Sequence, residues 1–152
     1  MQELISMVDL TVVYRLLLSG LLGGIIGAER EYAGKPSGFR TSILICMGSA
    51  LFVHLALFSM ASYNIGDPTR VIGQVITGIG FLGAGTIIQS GGSVLGMTSA
   101  ATIWVVSGIG MAVGIGDYFS ATVSTVLIFI VLTVLNVLER KVKSQLEKME
   151  KK

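Results

Sequence analysis

Residues 71–89 read VIGQVITGIGFLGAGTIIQ, an uncharged run with glycines at positions 73, 78, 80, 83 and 85. Wound as one helix, it puts Gly73, Thr77, Gly80 and Ala84 on one side and Gln74, Gly78 and Gly85 on a second, well-separated side. In water each glycine would cost that helix about 1 kcal/mol relative to alanine. In hydrocarbon the backbone must bond to itself, and small residues let neighbouring helices come close. The stretch therefore reads as a central membrane helix packed on two sides.

The rest of the chain agrees with a membrane setting. It is 52% hydrophobic and 13% charged, with a mean hydropathy of +0.80, values outside the usual globular range. Between Arg40 and Glu139 only Asp67, Arg70 and Asp117 carry charge. A soluble core of that length would need more polar surface around it. The net charge of +2 is small, and the basic residues flank apolar spans. That pattern fits orientation in a membrane and gives no reason to expect a nucleic-acid partner. The single cysteine, Cys46, excludes an internal disulfide and a multi-cysteine metal cluster. No HExxH, CxxC, catalytic triad or P-loop pattern occurs, so the chain does not read as an enzyme. The first nine residues hold Glu3 and Asp9 and no basic residue, unlike a removable signal.

About 20 apolar residues cross roughly 30 Å of hydrocarbon. Five segments qualify: residues 10–28, 41–61, 68–88, 98–116 and 118–138. The expected fold is an all-α polytopic bundle of five transmembrane helices over residues 1–138, followed by a charged cytoplasmic tail at 139–152. Arg30, Lys35 and Arg40 lie between spans one and two, and Arg140, Lys141, Lys143, Lys148, Lys151 and Lys152 follow span five. An odd number of crossings puts the N-terminus outside and both basic clusters inside.

Asp67 followed by Pro68 reads as an N-cap and first-turn proline for the third helix, and Thr98 or Ser99 as a cap for the fourth. The connection at residues 89–96, QSGGSVLG, allows a flexible turn or a re-entrant segment beside a cavity. In the tail, Val142, Leu146 and Met149 recur at helical spacing, as in an amphipathic surface helix or a solvated end.

Arg15 stands inside the first span, where a mid-membrane arginine costs roughly 2.5 to 3.5 kcal/mol unless it snorkels. It fits an interfacial role or an ion pair with Asp9, Asp67 or Asp117 around an outward vestibule, with Ser19 extending the same polar stripe. In GAEREYAGKPSGFRT (residues 27–41), Glu29 and Glu31 serve either local salt pairing or an inward mouth attractive to a divalent cation. Mg2+ takes oxygen ligands and keeps several waters, so few carboxylates suffice. Glu29, Glu31, Asp67 and Asp117 are the metal candidates. With Arg15, Arg70 and Gln74 they form the ion-path or mouth set. Gln74 serves helix packing or a cavity, since one local bond cannot satisfy its amide. His54 and Trp104 read as structural or interfacial, and Cys46 with Ser42 and Ser49 as a small packing stripe.

Gly20 with Gly24, Gly23 with Gly27, and Gly110 with Gly114 are GxxxG pairs, and Gly78, Gly80, Gly83 and Gly85 supply close approach in the third span. Replacing Gly80 by leucine is expected to disrupt packing. No cofactor is required on this reading. The expected partners are membrane lipid and a second copy or another membrane protein.

The stretches GAEREYAGKPSGFRTSILICMGSALF (residues 27–52) and RVIGQVITGIGFLGAGTIIQSGGSVLGMTSAATIWVVSGIGMAVGIG (residues 70–116) resemble the N-terminal membrane domain of the MgtC/SapB family. The similarity runs from about Arg15 to about Leu138. It implies a multi-pass protein of a prokaryotic inner or plasma membrane, connected with magnesium homeostasis. It singles out Arg15, Glu29, Arg30, Glu31, Lys35, Arg40, Arg70, Gln74, Gly80, Gly83, Gly85 and Thr98 as family-motif positions. Many members carry a cytoplasmic domain after the membrane region, and this sequence reads as the membrane part without it. The resemblance implies either a Mg2+ transporter or transport component, with Mg2+ as substrate or ligand, or a regulator of another membrane complex such as the proton-translocating ATP synthase.

Overall fold

The computed structural model describes residues 2–90 and 93–150, with side chains at residues 10–89 and 93–138. The chain forms helices α1 (Gln2–Tyr32), α2 (Phe39–Tyr63), α3 (Pro68–Ala84), α4 (Met97–Ile115) and α5 (Tyr118–Glu150). A two-stranded antiparallel hairpin, β1 (Ile88–Ser90) and β2 (Ser93–Leu95), joins α3 to α4, with Ile88 opposite Leu95. Among the described residues four helical stretches are long and apolar enough to cross a membrane: Leu10–Tyr32, Phe39–Tyr63, Met97–Ile115 and Tyr118–Leu138. The protein is a helical membrane protein with this small hairpin attached.

Local chemistry sets the helix ends. Asp67 caps α3 as its sequence suggests, its carboxylate accepting from the Thr69 backbone N–H at 2.9 Å and hydroxyl at 2.7 Å. Asn64 ends α2 in the left-handed region, a conformation asparagine tolerates better than most residues. Gly116 ends α4 at φ 102°, its N–H reaching the carbonyls of Ala112 and Val113. The fourth helix begins differently from expectation. Its N-cap is Gly96 at φ 88°, with no side-chain cap, while the Thr98 carbonyl accepts from the Thr102 hydroxyl. A left-handed backbone leaving the hairpin requires glycine there, which displaces the Thr98 or Ser99 cap. Within the 89–96 connection the residues on either side of 91–92 pair as antiparallel strands, and the tip itself lies outside the described residues.

Glycine brings α1, α2 and α4 together. A Cβ placed on Gly23 would lie 2.6 Å from the Cys46 Cβ and 2.7 Å from the Ser42 carbonyl oxygen; one on Gly27 would lie 2.8 Å from the Phe39 Cα. On the other side of α2, a Cβ on Gly110 would press on the Cys46 carbonyl, and one on Gly114 would lie 2.6 Å from the Ala50 carbonyl oxygen. Cys46 is thus clasped between α1 and α4 and is fully buried. Ser42 and Ser49 beside it are buried too, and Ser49 bonds Ser107 on α4 at 2.9 Å. The small-residue stripe on α2 packs as its spacing suggests. Gly20 and Gly24 take a second contact with α2, against Met47, Ile43 and Phe39.

These contacts fix direction. Gly20 meets Met47 and Gly27 meets Phe39, so α1 and α2 are antiparallel; Gly110 meets Cys46 and Gly114 meets Ala50, so α2 and α4 run the same way. The central helix is α4, which packs against all four others. Its Ile103, Val106, Ile109 and Val113 are at most 2% exposed.

The third helix is not the centre. It lies at the edge against α4 and α2, and Gly83, facing Ala100, is its one buried residue. An added Cβ would meet nothing within 4 Å at Gly73, Gly78 or Gly80. Gly85 touches carbonyls of its own helix end. The two-sided packing expected of α3, and of Gly78 and Gly80 in particular, is therefore absent within one copy. Small residues permit close approach from another helix but do not supply the other helix.

Candidate functional site: two polar ends and a lateral groove

At one end of the bundle Arg15 reaches from α1 across the molecule. Its Nη1 donates to the Gly114 carbonyl at 2.6 Å and to His54 Nδ1 at 2.9 Å, and its Nε donates to the Tyr118 hydroxyl at 3.4 Å. Arginine cannot accept, so Nδ1 of His54 must, leaving the ring proton on Nε2. One guanidinium thus ties α1, α2, the end of α4 and the start of α5. It also places positive charge at the C-terminus of α4, where the helix dipole favours it. Tyr14 meets Tyr118 edge to face at 5.4 Å, and His54 stacks near Phe58.

Two of the three carboxylates that are candidate ion-pair partners of Arg15 are used elsewhere. Asp67 caps α3, and Asp117 accepts from the Ser120 N–H at 3.0 Å in the first turn of α5. Hydrogen bonding to the Thr69 side chain and backbone holds the Asp67 carboxyl below its ordinary range; Ser120 does the same for Asp117. Asp9, the third proposed partner, has its side chain outside the described residues. Ser19, on the same side of α1, is buried and returns its hydroxyl to the Leu16 carbonyl.

At the opposite end lie Glu29 and Glu31. Glu29 pairs with Arg30, which is only 3% exposed. Glu31 accepts from the Phe39 N–H at 2.8 Å and so caps α2, whose own N-cap, Gly38, has no side chain to offer. A carboxylate at that position satisfies an open N–H and complements the helix dipole. Among the described residues no three His, Cys, Asp or Glu side chains gather as a metal cluster. The four metal candidates sit at both ends of the bundle, each bonded within its own chain.

Three of the singled-out residues do converge. Asp67, Arg70 and Gln74 line a cavity of about 810 Å³ between α2 and α3. Its other walls are largely apolar, including Leu44, Phe52, Val75, Ile79 and Leu82, with glycine at 48 and 78. Two of the participants escaped a sequence reading. His54 showed no partner at any fixed spacing, because Arg15 meets it across 39 positions. The apolar groove wall reads as ordinary span residues until α3 is seen to stand off from α2. Trp104, read as packed or interfacial, is 54% exposed on α4.

Comparison with known proteins places this architecture. The sequence is 42% identical over 127 residues to "Putative magnesium transporter YhiD" of Escherichia coli (strain K12), covering 80% of this chain and 59% of that protein. It is 40% identical over 116 residues to Protein MgtC of Salmonella typhimurium (strain LT2), covering 76% and 48%. With Protein MgtC of Brucella abortus (strain 2308) it shares 43% over 111 residues, covering 73% and 45%. The chain spans about half the length of these curated relatives. No solved structure matches it. The sequence pattern of the MgtC family matches residues 16–141, from the middle of α1 into α5. This chain belongs to the MgtC family, as a multi-pass protein of the bacterial inner membrane.

Proposed function

We propose that the chain is a magnesium-associated inner-membrane protein that acts as a component of a larger membrane assembly, with Mg2+ as the ion that assembly handles. The magnesium link rests on the name of the YhiD relative. The observation that carries the component role is the closed α1–α2–α4 core. There glycine brings backbone against backbone at Gly23, Gly110 and Gly114, which leaves no room for a hydrated ion at those crossings. The peripheral α3, with its open glycines, is the face available to a second copy or to another membrane protein.

Five crossings with the N-terminus outside suit this packing. Because α2 and α4 run the same way, the chain must return across the bundle between them. The 17 residues of α3 rise about 25 Å at 1.5 Å per residue, most of a hydrocarbon layer about 30 Å thick. The Arg15 end then faces outward, and Glu29, Glu31 and the basic residues around them face inward.

Magnesium flux into proteoliposomes containing the purified chain, read with an entrapped Mg2+ indicator at imposed potentials of both signs, tests the assignment. The expected result is no flux above protein-free vesicles, together with restored growth in low magnesium when the chain is returned to cells lacking their own relative. Flux from the chain alone would make it an autonomous transporter. No restoration would remove the magnesium role.

A further inference from the structure

The α2–α3 groove has an order to its chemistry. On α3 its lining runs Asp67, Arg70, Val71, Gln74, Val75, Gly78, Ile79 and Leu82, one helical face. Charge and amide occupy the first two turns and are followed by apolar residues alone. On α2 the wall is Leu44, Ile45, Gly48, Ser49 and Phe52, and Ser49 spends its hydroxyl on Ser107. Leu44 and Phe52 are 70% and 55% exposed. Among the described residues the Arg70 guanidinium has no ion pair, and Asp67 stands one turn away with the opposite charge.

Dimensions narrow the occupant. From Asp67 to Leu82 the face rises about 22 Å at 1.5 Å per residue. Along that rise the groove is polar at Asp67, Arg70 and Gln74 and otherwise apolar, Ser49 being bonded to Ser107, which is the order of headgroup and acyl chain in a phospholipid. From Gln74 to Leu82 the apolar section rises about 12 Å, close to the roughly 15 Å depth of hydrocarbon in one leaflet.

We infer that the α2–α3 groove is a phospholipid site. An acyl chain lies along Gly48, Gly78, Ile79 and Leu82, the phosphate meets Arg70, and the ammonium of a phosphoethanolamine headgroup meets Oδ2 of Asp67, since the cap on Thr69 uses Oδ1. Arginine suits the phosphate because its planar fork pairs with phosphate oxygens. Gln74, one turn below Arg70, stands at the level of the glycerol esters, with amide hydrogens to donate.

The full-length protein, purified in mild detergent, is tested by native mass spectrometry against phosphatidylethanolamine, phosphatidylglycerol and diacylglycerol of equal chain length. Occupancy is expected to fall in that order. Arg70→Gln should weaken phosphatidylethanolamine about tenfold, the scale of one charge-assisted hydrogen bond. Gly48→Leu with Gly78→Leu puts two side chains into the groove at positions where an added Cβ meets nothing within 4 Å, and should remove the lipid. Gly73→Leu, equally open but off the groove, should not. Retention of lipid by the filled groove overturns the site, and equal occupancy by diacylglycerol overturns headgroup recognition. A shifted oligomer distribution without lipid loss in the filled variant assigns the groove to a second copy instead. A phosphatidylethanolamine carrying a diazirine on its acyl chain tests the wild-type protein directly. Crosslinks should fall on residues 44–52 and 71–82, and crosslinks confined to α5 overturn the proposal.

Discussion

Replacing Gly110 by alanine adds one carbon at the tightest helix–helix crossing among the described residues. The new Cβ would press directly on the carbonyl oxygen of Cys46, 2.9 Å from its carbonyl carbon and 3.0 Å from its Cα. Carbon atoms rest about 3.5–4.0 Å apart, so the carbon contacts alone require α2 and α4 to part by roughly 0.6–1 Å, the carbonyl oxygen requires at least that, and no side chain can turn aside to spare them. A gap of that size forfeits about a quarter to a half of the dispersion energy of the contacts it opens. Overpacking of this kind costs about 1–3 kcal/mol, against which alanine returns up to about 1 kcal/mol of helix propensity. Because backbone meets backbone, the cost lies in the upper part of that range, about 2–3 kcal/mol, and the net is about 1–3 kcal/mol. In thermal unfolding of the purified protein, Gly110→Ala should lower Tm by roughly 2–12 °C, taking about 2–4 °C per kcal/mol at this chain length. Gly80→Ala is the internal comparison. It has the same chemistry and lies in a richer glycine run, yet has open space around it. It should leave Tm of the single copy unchanged or slightly raised. Equal destabilisation by the two substitutions, or none from Gly110→Ala, would refute the assignment of α4 as the clasped helix and α3 as the free one.

Arg15→Gln removes the guanidinium from Gly114, His54 and Tyr118 and should destabilise the protein by about 2–3 kcal/mol, the scale of charged hydrogen bonds. In a double-mutant cycle with His54→Ala, chemical denaturation should report coupling above about 0.5 kcal/mol; additive effects would dissolve the pairing. The Asp67 and Asp117 carboxyls are held below their ordinary range, so their capping contributes fully above the unfolded carboxylate value of about 4. That contribution is lost as pH falls through the lower folded value. Melting curves from pH 7 to pH 3 should therefore show an acid loss of stability that is shallower in Asp67→Asn. In a Cys46→Ala background, Ile65→Cys and Val94→Cys should react with a membrane-impermeant maleimide from opposite faces of the membrane. Labelling from one face would mean that α3 does not cross.

Much of this could be read in the chain before any coordinates. Apolar length marks the four long spans because backbone left unpaired in hydrocarbon costs several kcal/mol per group. The Asp67–Pro68 start of α3 follows from local bonding that needs no distant partner. The GxxxG pairs of α1 and α4 are likewise where two helices meet another closely. The approach of these glycines to Ser42, Cys46 and Ala50 explains why those positions must be small.

Partner choice was settled by packing. Gly80 and Gly110 look alike in sequence, since a missing side chain says that a helix can come near but not which one does. The apolar pattern does not separate them, because a lipid-facing leucine and a buried one are equally at home among hydrocarbon tails. The same holds for charge. Arg15 reads equally as interfacial or as the partner of a carboxylate, and folding gave it the carbonyl end of α4 and a histidine, while Glu31, Asp67 and Asp117 capped helix starts. Helix identity and length are local properties of the chain. Which helix is clasped at the centre, and which donor finds which acceptor, depends on residues tens of positions apart meeting in three dimensions.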